Sequence, residues 1–183
     1  MFRISQYMEE IAHPTPLGPK RNPPGPVVIW NLIRRCNLTC KHCYSISADH
    51  DYEGELSTSE VFGVMDDLKR FRVPVLILSG GEPLLRPDIF DVAQRAKGLG
   101  FYVGLSSNGT LIDESNIRRI AETDFDYVGV SLDGIRATHD KFRRMQGAFE
   151  KSLAGIRLCR DAGLKIGVRF TMTQDNAHDL PGL

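Results

Sequence analysis

Five short apolar runs recur along the chain: VVIWNLI at 27 to 33, VPVLIL at 73 to 78, FYVGL at 101 to 105, YVGVS at 127 to 131 and KIGVRFTM at 165 to 172. They are rich in Val, Ile, Leu and aromatic side chains and lead into polar turns, so they read as strands. Between them the apolar positions fall at helical spacing. Ser57 stands before TSEVFGVMDDLKRF with Glu60 three residues on, the arrangement of a capping box. Pro87 suits the first turn of a helix over DIFDVAQRAKGLG, Asp113 precedes ESNIRRIAE, and a residue near Thr138 opens a longer helix running to about Arg160. Gly100 and Gly163 fit the left-handed positions that close helices.

Strand and helix therefore alternate. Near-continuous apolar strands imply a parallel sheet buried on both faces and joined by crossover helices. Two architectures meet that description, a doubly wound open sheet and a (β/α) barrel. The polar clusters RRCNLTCKHC, SGGEP, SSNGT and SLDG each follow one of the first four strands. A barrel gathers many strand ends around one mouth, whereas an open sheet concentrates its ligand contacts at one switch point, so the clusters favour the barrel. The expected fold is α/β, a partial (β/α) barrel of about five units where a complete one has eight. The closing residues NAHDLPGL read as the start of another helix, which suggests a piece of a longer protein. Residues 1 to 26 form a separate arm in this reading, since PTPLGPKRNPPGP at 14 to 26 carries six prolines and cannot be helical. The barrel occupies residues 27 to 183.

Charge narrows the partners. The chain has 23 basic and 23 acidic side chains in 183 residues, so it lacks the cationic footprint that a nucleic-acid backbone requires. No stretch reaches the roughly 20 apolar residues of a membrane span, and the N-terminus lacks the apolar middle of a secretory signal. A cytoplasmic location is expected. Three of the four cysteines lie within eight residues, too tight for a disulfide framework and suited to a metal site in a reducing compartment. Cys159 stands alone in a helical pattern and reads as a small buried hydrophobe.

Cys36, Cys40 and Cys43 have the spacing CxxxCxxC on the loop that leaves the first strand. Three thiolates on one loop can hold a corner of a compact centre, and soft sulfur selects zinc or iron–sulfur chemistry. Structural zinc wants four protein ligands, and His42, adjacent to Cys43, would need awkward loop geometry to serve as the fourth. A four-iron cluster held by three cysteines keeps one iron free for a substrate.

CNLTCKHC, followed after the next strand by SGGEP and later by SSNGT and SLDG, resembles the radical S-adenosylmethionine superfamily over roughly residues 27 to 172. The resemblance implies a 4Fe-4S cluster on Cys36, Cys40 and Cys43 whose unique iron chelates the amino and carboxylate groups of S-adenosylmethionine. Reductive cleavage then gives a 5′-deoxyadenosyl radical. By the same resemblance His42 lies against the adenine, and Gly80, Gly81, Glu82 and Pro83 receive the methionine ammonium group. Glycines permit close backbone approach, and a carboxylate near an ammonium forms a charge-assisted hydrogen bond. Ser106 or Ser107, Asn108, Ser131 and Asp133 could reach ribose hydroxyls or the methionine carboxylate, or could equally be turn caps. Arg143 resembles an arginine that pairs with that carboxylate, though a solvated helix face also explains it. His13, His50, His139 and His178 fit no metal spacing and read as surface or capping residues.

PTPLGPKRNPPGPVVIWNLIRRCNLTCKHCYSISAD, FRVPVLILSGGEPLLRPDIF and GFYVGLSSNGTLID extend the likeness to the NirJ-type proteins of haem d1 biosynthesis. That resemblance implies conversion of propionate side chains of a siroheme-derived tetrapyrrole to oxo groups, with an electron donor such as flavodoxin or ferredoxin. The family pattern continues into a C-terminal region with cysteines for a second cluster, beyond where this sequence stops. A haem-synthesis decarboxylase or a peptide-modifying enzyme of the same superfamily is the alternative. A non-catalytic metal-binding module is another, although such a module has no use for SGGEP.

Overall fold

Strands β1 (Val27–Asn31), β2 (Val75–Ser79), β3 (Tyr102–Ser107), β4 (Tyr127–Ser131) and β5 (Ile166–Arg169) pair in sequence order, all parallel. The computed structural model describes Met8, residues 11 to 13 and residues 25 to 183, so most of the expected proline-rich arm lies outside the described residues. Helices α1 (Thr58–Arg70), α2 (Ile89–Gly98), α3 (Ile117–Glu122), α4 (Ala137–Arg143) and α5 (Ala148–Asp161) form the connections after β1. A doubly wound sheet reverses its strand order part-way. Here each strand adds to the same growing edge, so the sheet is a segment of a (β/α) barrel.

One face of the sheet is packed by helices. Leu76, Leu78, Val103, Leu105, Val128 and Val130 join Val61 and Met65 of α1, Val92 of α2 and Ile120 of α3 in one buried cluster. Each such side chain contributes on the order of 2 kcal/mol by leaving water. Cys159 is packed in the same cluster, as a small hydrophobe. The opposite face is concave and differs along its length. It is apolar at Ile29 and Ile77, which are in register, and turns polar toward the strand ends, where Asn31 pairs with Ser79 and Ser131 with Arg169. Two-sided burial holds only for the central strands. The outer strands carry Val27 and Ile29 of β1 and Val168 of β5 in solvent, because each lacks a neighbour on one side.

Helix boundaries differ from the sequence pattern in three places. Ser57 and Glu60 do form the capping box on α1. By contrast, Pro87 precedes the cap, Asp88, and α2 starts at Ile89. Asp113 spends its carboxylate on the Ser115 amide at 2.9 Å, so α3 starts only after Asn116. The single long helix expected from Thr138 to Arg160 is two helices. Arg144 and Gly147 take left-handed conformations, and the Asp140 carboxylate accepts from the amides of Gly147 at 2.6 Å and Phe149 at 2.8 Å. A side chain that satisfies free amides at the start of α5 makes the break favourable. The closing segment is a 3₁₀ turn, Ala177–Gly182. No described helix is long and apolar enough to cross a membrane.

The concave face is shaped by glycine. An ideal Cβ on Gly167 would lie 2.1 Å from the Tyr127 hydroxyl, and one on Gly129 would lie 2.9 Å from the Tyr127 ring. Tyr127 thus lies over Gly129 of its own strand and Gly167 of β5, where neither has a side chain. Gly167→Ala is expected to cost about 1 to 3 kcal/mol through this overlap. Urea unfolding checks it, and an unchanged midpoint would show that the ring moves aside freely.

Candidate functional site

The loop after β1 is bound tightly to the ends of its neighbours. Gly81 donates its amide to Ile33 O at 2.6 Å and Glu82 to Arg35 O at 2.9 Å. This approach excludes side chains. A Cβ on Gly80 would lie 2.3 Å from Ile33 O, and one on Gly81 would lie 2.3 Å from Arg35 O and 2.4 Å from Arg34 O. Arg86 adds bonds at 3.0 Å to the carbonyls of Leu32 and Leu56, and Asn37 reaches Thr110 Oγ1 at 2.8 Å. On the far side the Lys41 amide meets Phe142 O of α4 at 3.0 Å.

That loop brings all three cysteines to a cavity of about 410 Å³ at the polar ends of the strands. Small-molecule sites span roughly 300 to 1,000 Å³. Of the residues singled out in the sequence, Cys36, Cys40, Cys43, His42, Gly80, Gly81, Ser106, Asn108, Ser131 and Arg143 line it. Glu82, Pro83 and Asp133 are buried in its walls.

Each sulfur has a different donor. Cys36 Sγ accepts from the Leu38 amide at 3.4 Å and Asn108 Nδ2 at 3.8 Å. Cys40 Sγ accepts from Arg143 Nη1 at 3.6 Å, and Cys43 Sγ lies 3.3 Å from Ser45 Oγ. Burial pushes the Cys36 thiol up to about 11. It raises Cys40 too, against the opposing charge of Arg143. At Cys43 burial is outweighed by hydrogen bonds from Ser45 and Ser47, and the thiol is lowered. Among the described residues no three His, Cys, Asp or Glu side chains converge as a single ion would need. The three sulfurs instead share the wall of a larger space.

Glu82 is wholly buried, yet every acceptor contact it makes is structural. Oε1 accepts from the Leu84 amide at 3.1 Å and Ser107 Oγ at 2.9 Å, and Oε2 from the Asn108 amide at 2.8 Å. Burial raises its pKa against these bonds. Pro83 opens the 3₁₀ turn Pro83–Leu85 that carries the chain away from the wall.

Asp133 forms a second buried hub. Its Oδ2 pairs with Arg143 Nη2, its Oδ1 accepts from the Thr171 amide at 2.6 Å, and His42 Nε2 lies 3.7 Å from Oδ2. The His42 ring rests on Phe142 with centroids 4.4 Å apart. Burial, followed by the Arg143 charge, lowers its pKa. His139 is no surface residue. It is completely buried, and its Nδ1 accepts from the Asp133 amide at 3.0 Å.

Arg169 escaped the sequence reading. Its guanidinium reaches Ser106 Oγ, Gly129 O at 3.2 Å and Ser131 Oγ at 3.2 Å, with no ion-pair partner among the described residues. A cation inside the apolar run that follows Lys165 was the available sign, because a charge at a parallel strand's end has few structural uses. Among the described residues five buried side-chain nitrogens lack a hydrogen-bond partner; His42 Nδ1, Arg143 Nε and Arg169 Nε belong to cavity-lining residues, whereas Arg86 Nε and His139 Nε2 lie outside the cavity lining. Unsatisfied buried donors fit a polar, anionic ligand better than a dry void.

A family model for the radical SAM superfamily matches residues 30–182. The chain belongs to the radical SAM superfamily. Among its relatives, it is 54% identical over 183 residues to the pre-heme d1 synthase of Dinoroseobacter shibae, covering 100% of this chain and 45% of that protein. It is 48% identical over 158 residues to the Fe-coproporphyrin III synthase of Methanosarcina barkeri, covering 86% and 40%. Streptococcus suis SuiB bound to S-adenosylmethionine superposes with a TM-score of 0.74 at 17% identity, over 87% of this chain and 36% of that one. The radical SAM chain thus spans under half the length of these relatives.

Two measurements probe this construction. Gly81→Ala must displace the cysteine loop, so iron retention after anaerobic reconstitution should fall several-fold; full retention would refute the close-packing argument. Burial lowers His139 to about 4. Its folded pKa lies below the unfolded one, so the stability it confers is complete above about pH 6.5 and is lost as pH falls toward 4, roughly 3 kcal/mol in all. Urea titrations at pH 7 and pH 4.5 should show a shallower pH dependence for His139→Gln than for the parent.

Proposed function

We propose that Cys36, Cys40 and Cys43 carry a 4Fe-4S cluster and that the adjoining cavity binds S-adenosylmethionine on its free iron. Three cysteines on one cavity wall beside the GGEP turn support this reading. A cluster bound by three protein thiolates leaves one iron for a small ligand, whereas a structural zinc site would consume four donors. When bound, the pair supplies a 5′-deoxyadenosyl radical by one-electron cleavage of the sulfonium.

The chain's own residues place the cofactor. Gly80 and Gly81 present backbone to the methionine ammonium group, because the Glu82 carboxylate is committed to Leu84, Ser107 and Asn108. Pro83 holds that turn. Arg169, with Ser131 and Ser106 beside it, receives the methionine carboxylate, a planar cation for a planar anion. Arg143, expected in that role from the sequence, is already paired with Asp133. His42 offers a neutral ring to the adenine, and Asn108 lies within reach of the ribose. Closing the cavity around a reactive species keeps water from quenching it.

The substrate we propose is a tetrapyrrole. The support is the 54% identity to a pre-heme d1 synthase across the whole chain, together with the 48% identity to a coproporphyrin synthase. The reaction follows the first of these: hydrogen abstraction from a propionate chain of a siroheme-derived macrocycle on the way to oxo groups. It takes place in the cytoplasm, where thiols stay reduced, with flavodoxin or ferredoxin as electron donor.

Anaerobic reconstitution followed by a reductive S-adenosylmethionine cleavage assay tests the core of this reading. The parent should release 5′-deoxyadenosine and Cys40→Ala none. Soluble protein that holds iron and sulfide yet forms no product would overturn it. Arg169→Leu should retain the cluster and weaken S-adenosylmethionine binding at least tenfold, on the order of 1.4 kcal/mol or more. Affinity equal to the parent's would remove Arg169 from the site.

A further inference from the structure

The three cysteine sulfurs are not electrically equivalent. Neutral groups contact two of them, the Leu38 amide and Asn108 at Cys36 and the Ser45 hydroxyl at Cys43. Cys40 alone among the three receives its hydrogen bond from a cation, Arg143. The same guanidinium is held from the other side by Asp133, so a cation stands between a sulfur and a carboxylate.

This arrangement is buried. The Arg143 side chain is 8% exposed and Asp133 is fully buried. Asp133 is itself fixed by the Thr171 amide at 2.6 Å, and its backbone by His139 Nδ1 and Asn176 Nδ2, each at 3.0 Å. A buried ion pair contributes little to stability because of its desolvation cost, so its presence beside a functional cavity points to another role. Charges out of water act strongly on their neighbours. The potential of an iron–sulfur cluster depends on local charge and on hydrogen bonds to its sulfurs.

We propose that Arg143 and Asp133 act as an opposed pair that sets the reduction potential of the cluster through the sulfur of Cys40. The inference rests on the reading that the three cysteines carry a cluster. Reduction adds negative charge, so the guanidinium at Cys40 favours the reduced state and the carboxylate behind it opposes that state. Arg143 is a positioning residue that acts through the Cys40 sulfur, and Asp133 acts through Arg143. The device lets the fold adjust how readily the cluster takes up an electron without altering any ligand.

Opposite signs distinguish this from a structural role. Redox titration of the reconstituted protein, followed by electron paramagnetic resonance without S-adenosylmethionine, should show a lower midpoint potential in Arg143→Gln. Asp133→Asn should show a higher one. General loosening of the wall would move both variants in the same direction, and that result overturns the inference. So does an unmoved potential in Arg143→Gln with weakened S-adenosylmethionine binding, which would return Arg143 to the carboxylate. Should Arg143→Gln fail to retain iron, the charge-removing variant Asp133→Asn then decides: a potential above the parent's supports the proposal, and an unchanged or lower one refutes it. Iron and sulfide analysis of the parent is a separate test, since a parent without a cluster refutes the underlying reading.

Discussion

A carboxylate sealed from water joins the parts of this site. Glu82 leaves β2 with its amide on Arg35 O of the cysteine loop and its side chain on Ser107 and Asn108 at the end of β3. An ionised group in that position is costly unless nearly every lone pair finds a donor, and here three donors converge on it. The same residue therefore fixes the loop that carries the sulfurs and the strand end that faces them. Remove its partners and the wall behind the cavity loses its register. The glycines before it serve the same contact from the other direction, because only a residue without a Cβ lets β2 come so near the loop backbone.

Much of this was legible in the sequence. The strand runs, the capping box at Ser57 and the grouping of polar clusters at strand ends give the barrel segment and its mouth, because alternation and turn chemistry are local properties of the chain. The cysteine spacing and SGGEP mark residues that the fold brings together at the candidate site. Sequence reasoning went astray where a distant partner decides the outcome. Helical spacing continues through Arg144, yet Asp140 turns back to cap a new helix, and no periodicity shows that competition. His139 has the look of a surface residue on a polar helix face, but the Asp133 amide draws it inside. Arg169 was missed because its strand reads as apolar and only the fold turns it inward at a strand end.

The assignment of polar groups to ligand or scaffold also needed coordinates. Glu82 and Asp133 sit among cavity residues in the sequence, but both point into the wall, where they orient groups that do face inward. Arg143 and Arg169 are chemically the same side chain with different freedom. The first is clamped between a sulfur and a carboxylate, and the second is hydrogen-bonded only to neutral oxygens, with the carboxylates of Glu82 and Asp133 acting on it from farther off. Sequence alone points to Arg143 and passes over Arg169.

The break between α4 and α5 has a wider meaning. Arg143 is the last residue of α4, so its direction depends on where that helix stops, and Asp140 decides this by capping the next helix. A half-buried acid outside the cavity thereby aims a cation within it. Sequence drift at the surface of such a corner is felt as a change of electrical environment at the cysteine loop, even with every cavity residue kept the same.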